Sequence, residues 1–497
     1  MKHLVSSAIS ILFLCLLAGL SAAQVNKSHN PTWWDKYQFI KNNLFTVGGV
    51  TTSSLTVDGN VDVSNECGPQ SETFITLNQN KPKYLAAGSN EIFRLPMRGY
   101  FSSNGGSNWG GVDLPLPPPI GTNGVDFGSD PTLAFDTRNN VFYGYIVVFF
   151  GNGNGINGTE MAVARSTDGG QTYPSVTFFS FEGGTNHFND KPMISADTNP
   201  SSPFRDNIYI AWDAASGGST SGGIRVATST DHGATFTVTR ADDPSGPGRS
   251  IGASPSVGPN GEVYVAWNDY AANTISFNRS FDGGKTWGKQ SVIAPKSIPF
   301  DIAIPAELFR AALIYPVLDV DRSNGPFRGR LYASWLDHGQ NGTDIFLSYS
   351  DDHGATWSLP RTIADALNIP VDRFNHWMSV DPVTGEVNIS FYDTRNDATG
   401  FRYTTDTYLT QSKDGGATWL SPNVRVSTAS SNEHDCDGVF PCTGINYGNQ
   451  QGDYEGLVSF NSISYPIWTD SRRQLAPITG CSRGIAMEEV FTAKVNP

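Results

Sequence analysis

The octapeptide SDDHGATW at residues 350–357 reads S-x-D-x-G-x-T-W, from Ser350 to Trp357, and copies of it recur along the chain. Residues 280–287 (SFDGGKTW) and 412–419 (SKDGGATW) match in full, while 166–173 (STDGGQTY) and 229–236 (STDHGATF) change only the closing aromatic. A sixth copy, 102–109 (SSNGGSNW), carries Asn104 in place of the Asp. The six starts lie 64, 63, 51, 70 and 62 residues apart, the spacing of a structural repeat. The fixed positions are those of a turn. The Asp accepts hydrogen bonds from nearby backbone N–H groups, the Gly takes positive φ at little cost, and the aromatic folds back between strands. The box therefore reads as scaffold and not as catalytic machinery.

Around each box lies one pattern of four strands. In the fifth unit YPVLDVD turns through Pro326-Phe327-Arg328 into RLYASWLD, a third strand runs into the box, and a fourth follows it. The second, third, fourth and sixth units repeat this with DPTLAFD, KPMISAD, PSVGPNGEVYVAWND and WMSVDPVTGEVNISFYD. A first unit (ETFITLN, PKYLAAGSN) ends in the degenerate box, and a seventh (GDYEGLVSF, SYPIWTD, EEVFTAKV) has no box and no fourth strand. GNVDVS at 59–64 resembles PNVRVS at 422–427, the strand after the sixth box. The chain is thus expected to be an all-β propeller of seven four-stranded blades, with six as the alternative, closed by residues 59–64 as the last blade's missing strand.

The flanks and composition bound the rest. Lys2, an apolar run over 9–20 and Ser21-Ala22-Ala23 read as a signal peptide over 1–23, followed by an extension over 24–58 and the propeller over 59–497. The mature chain is expected to be secreted or periplasmic, monomeric and without a membrane span. With 33 basic against 47 acidic residues, net charge −14, a nucleic-acid partner is not expected. Four cysteines remain after cleavage, Cys67, Cys436, Cys442 and Cys481, and allow three pairings. Ring closure favours Cys67–Cys481 across the seam, leaving Cys436–Cys442 as a local bridge. No His/Cys metal spacing, phosphate loop or G-x-S-x-G elbow is present, so neither metal nor cofactor is expected.

Chemistry is expected on the face opposite the boxes, where first strands begin and second strands end. Second-strand ends carry Asp213, Asp269, Asp337, Asp393 and Asp470, with His338, Arg395, Arg472 and Arg473 just beyond; first-strand starts carry Glu72, Asp130, Asp190, Lys191, His376, Asp453, Tyr454 and Glu455. These carboxylates suit acid–base work on a ligand or the capping of strand ends. FYDTR and WTDSR place Arg395 and Arg472 alike, either as a carboxylate clamp or as partners of Asp393 and Asp470.

With its boxes and blade pattern the chain resembles the sialidase-like, Asp-box (BNR-repeat) propeller superfamily over nearly all of its mature length. The resemblance implies a secreted exo-α-sialidase-like glycoside hydrolase acting on terminal acidic sugars of glycans. It would use three arginines for the sugar carboxylate, a Tyr nucleophile activated by a Glu, and an Asp as acid/base. Carried over by position, these are Arg94 (in Phe93-Arg94-Leu95-Pro96), Arg395 and Arg472, then Tyr454 with Glu455, and Asp130; Asp393, Asp470 and Asp337 would line the substrate site. Two features depart from the family pattern: Arg94 follows a second strand, and the blade count is seven where sialidases have six. A non-catalytic carbohydrate- or protein-binding propeller, and a polysaccharide lyase or other glycosidase on the same scaffold, stay open beside it.

Overall fold

The computed structural model describes residues 49–51, 55–91, 96–117, 127–149, 158–183, 189–214, 222–243, 250–307, 310–434, 451–475, 478–480 and 488–497. Seven antiparallel four-stranded blades follow one another. Blade 1 runs Gln70–Leu77, Leu85–Glu91, Arg98–Ser102 and Gly110–Asp113; blade 2 runs Phe127–Phe135, Val141–Phe149, Gly158–Ser166 and Ser175–Gly183. Blade 3 is Asp190–Ala196, Ile208–Ala214, Gly223–Ser229 and Thr237–Arg240, and blade 4 is Ser250–Val257, Val263–Asp269, Thr274–Ser280 and Ser291–Pro295. Blade 5 holds Val317–Val320, Leu331–His338, Thr343–Ser350 and Arg361–Thr362; blade 6 holds Arg373–Val380, Val387–Asp393, Thr404–Ser412 and Val424–Arg425. Blade 7 has Gly456–Phe460, Ile463–Asp470 and Glu489–Thr492, and takes its outer strand from Val61–Asp62. First strands neighbour one another around the whole circle, the last against the first, and so enclose the axis.

Closure works as the repeat implies, over a shorter pairing than 59–64. Val61 faces Thr492 and Asp62 faces Phe491, and the Val63 and Gln70 amides donate to the Val490 and Glu488 carbonyls, each at 2.7 Å. Thr56–Val57, inside the segment read as an extension, pairs with Val495–Asn496 on the same sheet. Gly49–Thr51 runs parallel to Thr418–Leu420 in blade 6. Cys67 beside this seam is disulfide-bonded, while Cys436, Cys442 and Cys481 lie outside the described residues.

The boxes act as turns. In blade 5 the Asp352 carboxylate accepts from Ser350 Oγ at 2.7 Å, Thr356 N at 2.8 Å and Thr356 Oγ1 at 2.6 Å, and the Gly354 amide donates to Ser350 Oγ at 2.9 Å. Against desolvation, which raises it, these bonds together hold the Asp352 carboxyl down at about 2. Gly354 has φ 79°, and a Cβ there would run into the Phe277 ring of blade 4. Trp357 meets that same Phe277 edge-on at 5.3 Å, and Phe236 of blade 3 stacks on Phe179 of blade 2 at 4.4 Å. Each of these aromatics seals its blade to the one before. Trp212, Trp267, Trp335 and Trp468 are fully buried between sheets. The boxed serines pair with the first residues of second strands, as Ser350 does with Leu331, which puts the boxes on one face and the second-strand ends on the other.

Candidate functional site

The strand-start face is shaped by one repeated device. Five first strands carry a bulge against their second strand, between Ser71 and Phe74, Ser129 and Thr132, Asp190 and Met193, Ile251 and Ser254, and Phe374 and Trp377. Within each, one residue is left-handed: Glu72 (φ 52°), Asp130 (φ 59°), Lys191 (φ 50°), Gly252 (φ 69°) and Asn375 (φ 44°). Four of the five are not glycine, and a non-glycine residue held there costs on the order of 1–3 kcal/mol. A bulge re-aims its side chain, so strain is accepted where Glu72, Asp130 and Lys191 turn toward each other at the axis.

Lys191 Nζ is the centre of the resulting cluster. It lies 2.6 Å from Asp453 Oδ2, 3.1 Å from Glu72 Oε2 and 3.4 Å from Asp130 Oδ2, with all four groups buried. Asn90 at the end of a second strand donates to Glu72 Oε2 at 3.0 Å and accepts from the Asp130 amide at 2.7 Å; Ser129 Oγ donates to Asp130 Oδ1 at 2.6 Å. Gly452 (φ 84°) passes so close that a Cβ would collide with the Glu72 side chain. Between blades 4 and 5 a small hairpin, Asp301–Ile302 with Ala312–Leu313, delivers Arg310 to blade 7, where its guanidinium grips both oxygens of Asp453. The Tyr315 hydroxyl donates to Asp453 Oδ2 at 3.2 Å.

Neighbouring carboxyls are driven apart in acidity. Burial pushes Glu72 well above the ordinary range even beside Lys191, and burial together with the Asp130 charge does the same to Asp190. Burial works against the Asp130 charge as well. There the Lys191 ammonium and hydrogen bonds from Asp190 and Ser129 outweigh it and hold the group low. Arg310 and Lys191 overcome burial at Asp453 and hold it far below the usual range. The pair is thus split in acidity, Asp130 held low and Asp190, the partly exposed member, raised.

A second acidic group lies alongside. Glu307, Glu433, Glu455 and Glu488 are each at most 2% exposed. Burial raises all four, Glu433 up to about 7, and Glu433 and Glu488 face each other. Glu307 also feels Asp453 and Arg310, which joins this group to the axial cluster. Among the described residues no set of His, Cys, Asp and Glu has the geometry to hold a metal ion.

The residues singled out by sequence fall into two sets. Asp130 and Tyr454 meet at the axis: the Tyr454 hydroxyl donates to the Pro131 carbonyl at 3.2 Å, and Lys191 Nζ is 5.2 Å from its ring centre. Glu455 faces the other way, toward the Tyr392 hydroxyl and Asp470. Arg395 is 2.7 Å from both Asp365 and Asp393 and covers the Tyr408 ring. Arg472 binds both oxygens of Asp470 at 2.8 and 2.7 Å and also Asn60 Oδ1 at 3.0 Å. Of the two readings of FYDTR and WTDSR, the structure shows pairing with the nearby Asp. Asp337 accepts from the Ser297, Ile298 and His338 amides, so it caps a loop. Arg94 lies outside the described residues.

Arg310, Tyr315, Glu307 and Glu433 were not legible as site residues. Arg310 and Glu307 sit in an insertion between blades 4 and 5 whose hairpin is not repeated between other blades among the described residues. Tyr315 stands one residue before Pro316, as Asp130 and Lys191 stand before Pro131 and Pro192, and that X-Pro step at a first-strand start was the available signal.

No family model matches the chain, and no curated protein matches it. Among solved structures it is similar to a leech intramolecular trans-sialidase (12% identity, 69% of this chain and 67% of that one, TM-score 0.44). It is also similar to a Hadza microbial sialidase (12%, 91% and 98%, 0.41) and an α-L-arabinofuranosidase from Fusarium graminearum (11%, 72% and 98%, 0.46). Boxes, strand order and closure make the fold a β-propeller of seven blades.

Proposed function

We propose that the chain is a glycan-active glycoside hydrolase working at the strand-start mouth. The arrangement that carries this reading is Asp130 and Asp190 beside Lys191, Asp130 held low by the ammonium and hydrogen bonds against burial, and Asp190 raised by burial and the Asp130 charge. Acid–base cleavage of a glycosidic bond needs that division of protonation states. In this reading Asp190 gives its proton to the departing glycosidic oxygen as the bond to the anomeric carbon breaks. The Asp130 carboxylate stabilises positive charge on the sugar ring, water adds its oxygen to the anomeric carbon, and the proton it releases returns to the pair.

The finer choice is the sugar. A terminal acidic sugar needs free cations, yet among the described residues Arg395 and Arg472 are engaged by Asp393 and Asp470, and Lys191 and Arg310 by Asp453. A neutral glycan suits the mouth better than a sialoside. The leader-like N-terminus adds the proposal that the protein is exported. One observation favours a binding propeller instead, namely that Glu72 and Tyr454 are each only 1% exposed. Product release separates these readings. Neutral polysaccharides should yield reducing ends while an aryl α-sialoside yields no fluorophore; release from the sialoside alone would restore the acidic-sugar reading, and release from neither would favour the binder.

A further inference from the structure

The loop over 394–403, between the second and third strands of blade 6, opens on the same face as the axial cluster and ends in a stack of three rings. Phe401 lies on Tyr403 with ring centres 5.3 Å apart and planes at 23°, and Tyr403 lies on His434 at 3.7 Å and 14°. Phe401 is 64% exposed and is not part of the core. A lone exposed aromatic is unremarkable. This one sits in a loop pinned by a single carboxylate. The Asp397 carboxylate accepts from the amides of Phe401 at 3.1 Å, Arg402 at 2.8 Å and Thr404 at 3.1 Å, and from the hydroxyls of Thr399 at 2.8 Å and Thr404 at 2.9 Å. Arg402 between the two rings is left-handed (φ 63°), which puts Phe401 and Tyr403 on one side, and its guanidinium is tied to the buried Asp372 at 2.8 Å. Strain of this kind persists where surroundings over-determine it.

The stack also has a direction. His434 Nε2 lies 2.7 Å from the Pro305 carbonyl, on the insertion that carries Glu307 and Arg310. Glu433, one residue before His434, interacts with Glu307, and Arg310 grips Asp453 of the axial cluster. The rings therefore lead from the rim of blade 6 toward the carboxyls at the axis. A flat ring that is 64% exposed and backed by Tyr403 matches the apolar face of a pyranose or furanose.

We propose that Phe401, backed by Tyr403 and His434, is a platform for a sugar unit of a neutral polysaccharide whose chain continues toward the axial carboxyls. The proposal rests on the glycan reading above and adds to it a binding position away from the axial carboxyls. The test is native affinity electrophoresis of the full chain through gels containing soluble arabinan, xylan, mannan or mixed-linkage β-glucan, with reducing ends assayed separately. The wild-type protein is retarded by at least one of the four. Phe401→Ala and Phe401→Leu lose about tenfold in affinity for it, Phe401→Trp keeps it, and Leu359→Ala, which removes an apolar side chain 86% exposed beyond the blade 5 box, changes nothing. Phe401→Leu keeps an apolar side chain without the ring, so its loss reports stacking and not folding. Retardation of wild type by none of the gels, or equal retardation of Phe401→Leu, overturns the platform. Retardation without reducing ends supports the platform and removes the hydrolase reading.

Discussion

Lys191 Nζ and Asp453 Oδ2 lie 2.6 Å apart and join the first strand of blade 3 to the segment leading into blade 7, across the ring from one another. Desolvation opposes a charged lysine here. Asp130, Asp453 and Glu72 overcome it, so the ammonium is firmly held at neutral pH. The contact is at once a structural tie over the axis and, after Arg310, a cause of the low Asp453 carboxyl, and the same ammonium helps to hold Asp130 low.

Lys191→Met is therefore expected to destabilise the fold by roughly 3–5 kcal/mol at pH 7, because it leaves buried Asp130 without its cation and Asp453 and Glu72 with Arg310 alone. Urea unfolding checks this, and the deficit should shrink toward pH 4 as the abandoned carboxyls take up protons. An unchanged midpoint at pH 7 would show that the cluster is not held by Lys191.

The buried glutamates set an acid optimum for stability. Burial lifts Glu433 from 4.5 up to about 7 and Glu489 up to about 9. A group raised in the folded state stabilises fully below its unfolded value and loses that contribution as pH climbs toward the folded one. The window is thus 4.5 to about 7 for Glu433 and 4.5 to about 9 for Glu489. Asp130 and Asp453, held low, act in the opposite sense and lose their contribution only as pH falls below 3.8. The melting temperature is expected to peak near pH 5 and decline toward pH 8, with a shallower decline in Glu433→Gln. A melting temperature that rises from pH 5 to pH 8 would contradict the assignment.

Arg395 and Arg472, alike in sequence, should behave unlike each other when removed. Asp393 keeps the Arg373 guanidinium at 2.9 Å after Arg395→Ala, whereas Asp470, fully buried, keeps only neutral donors after Arg472→Ala, the Trp468 Nε1 and the backbone amide of residue 472. Arg472 also binds Asn60 next to the closing strand. Arg472→Ala should cost about 3 kcal/mol or more, Arg395→Ala clearly less. Chemical denaturation measures both. Equal costs, or loss of glycan retention without loss of stability, would return the two arginines to a ligand-binding role.

The scaffold was legible because its signals are local. A box fixes its own turn through Ser350, Asp352, Gly354 and Thr356 within one octapeptide, and the missing seventh copy pointed to 59–64 as the closing strand. The candidate site was half legible. Glu72, Asp130, Asp190, Lys191, Asp453 and Tyr454 could be placed at first-strand starts from the repeat alone, but not their convergence on one ammonium. That depends on bulges which turn Glu72, Asp130 and Lys191 to positive φ, a conformation that none of these residue types announces. Arg310 and Glu307 come from an insertion between repeats, so repeat logic is silent on them. Adjacency misleads at Tyr454 and Glu455, where successive residues of an extended chain point to opposite sides.

The most direct measurement of the hydrolase reading is reducing-end release from neutral polysaccharides by wild type, Asp130→Asn and Asp190→Asn, each checked for an unchanged melting temperature. Both substitutions keep size and remove the charge or the transferable proton. The expected result is hydrolysis by wild type and a loss on the order of 10²–10⁴-fold in each variant. Undiminished hydrolysis in either variant would contradict catalysis by the Asp130–Asp190 pair.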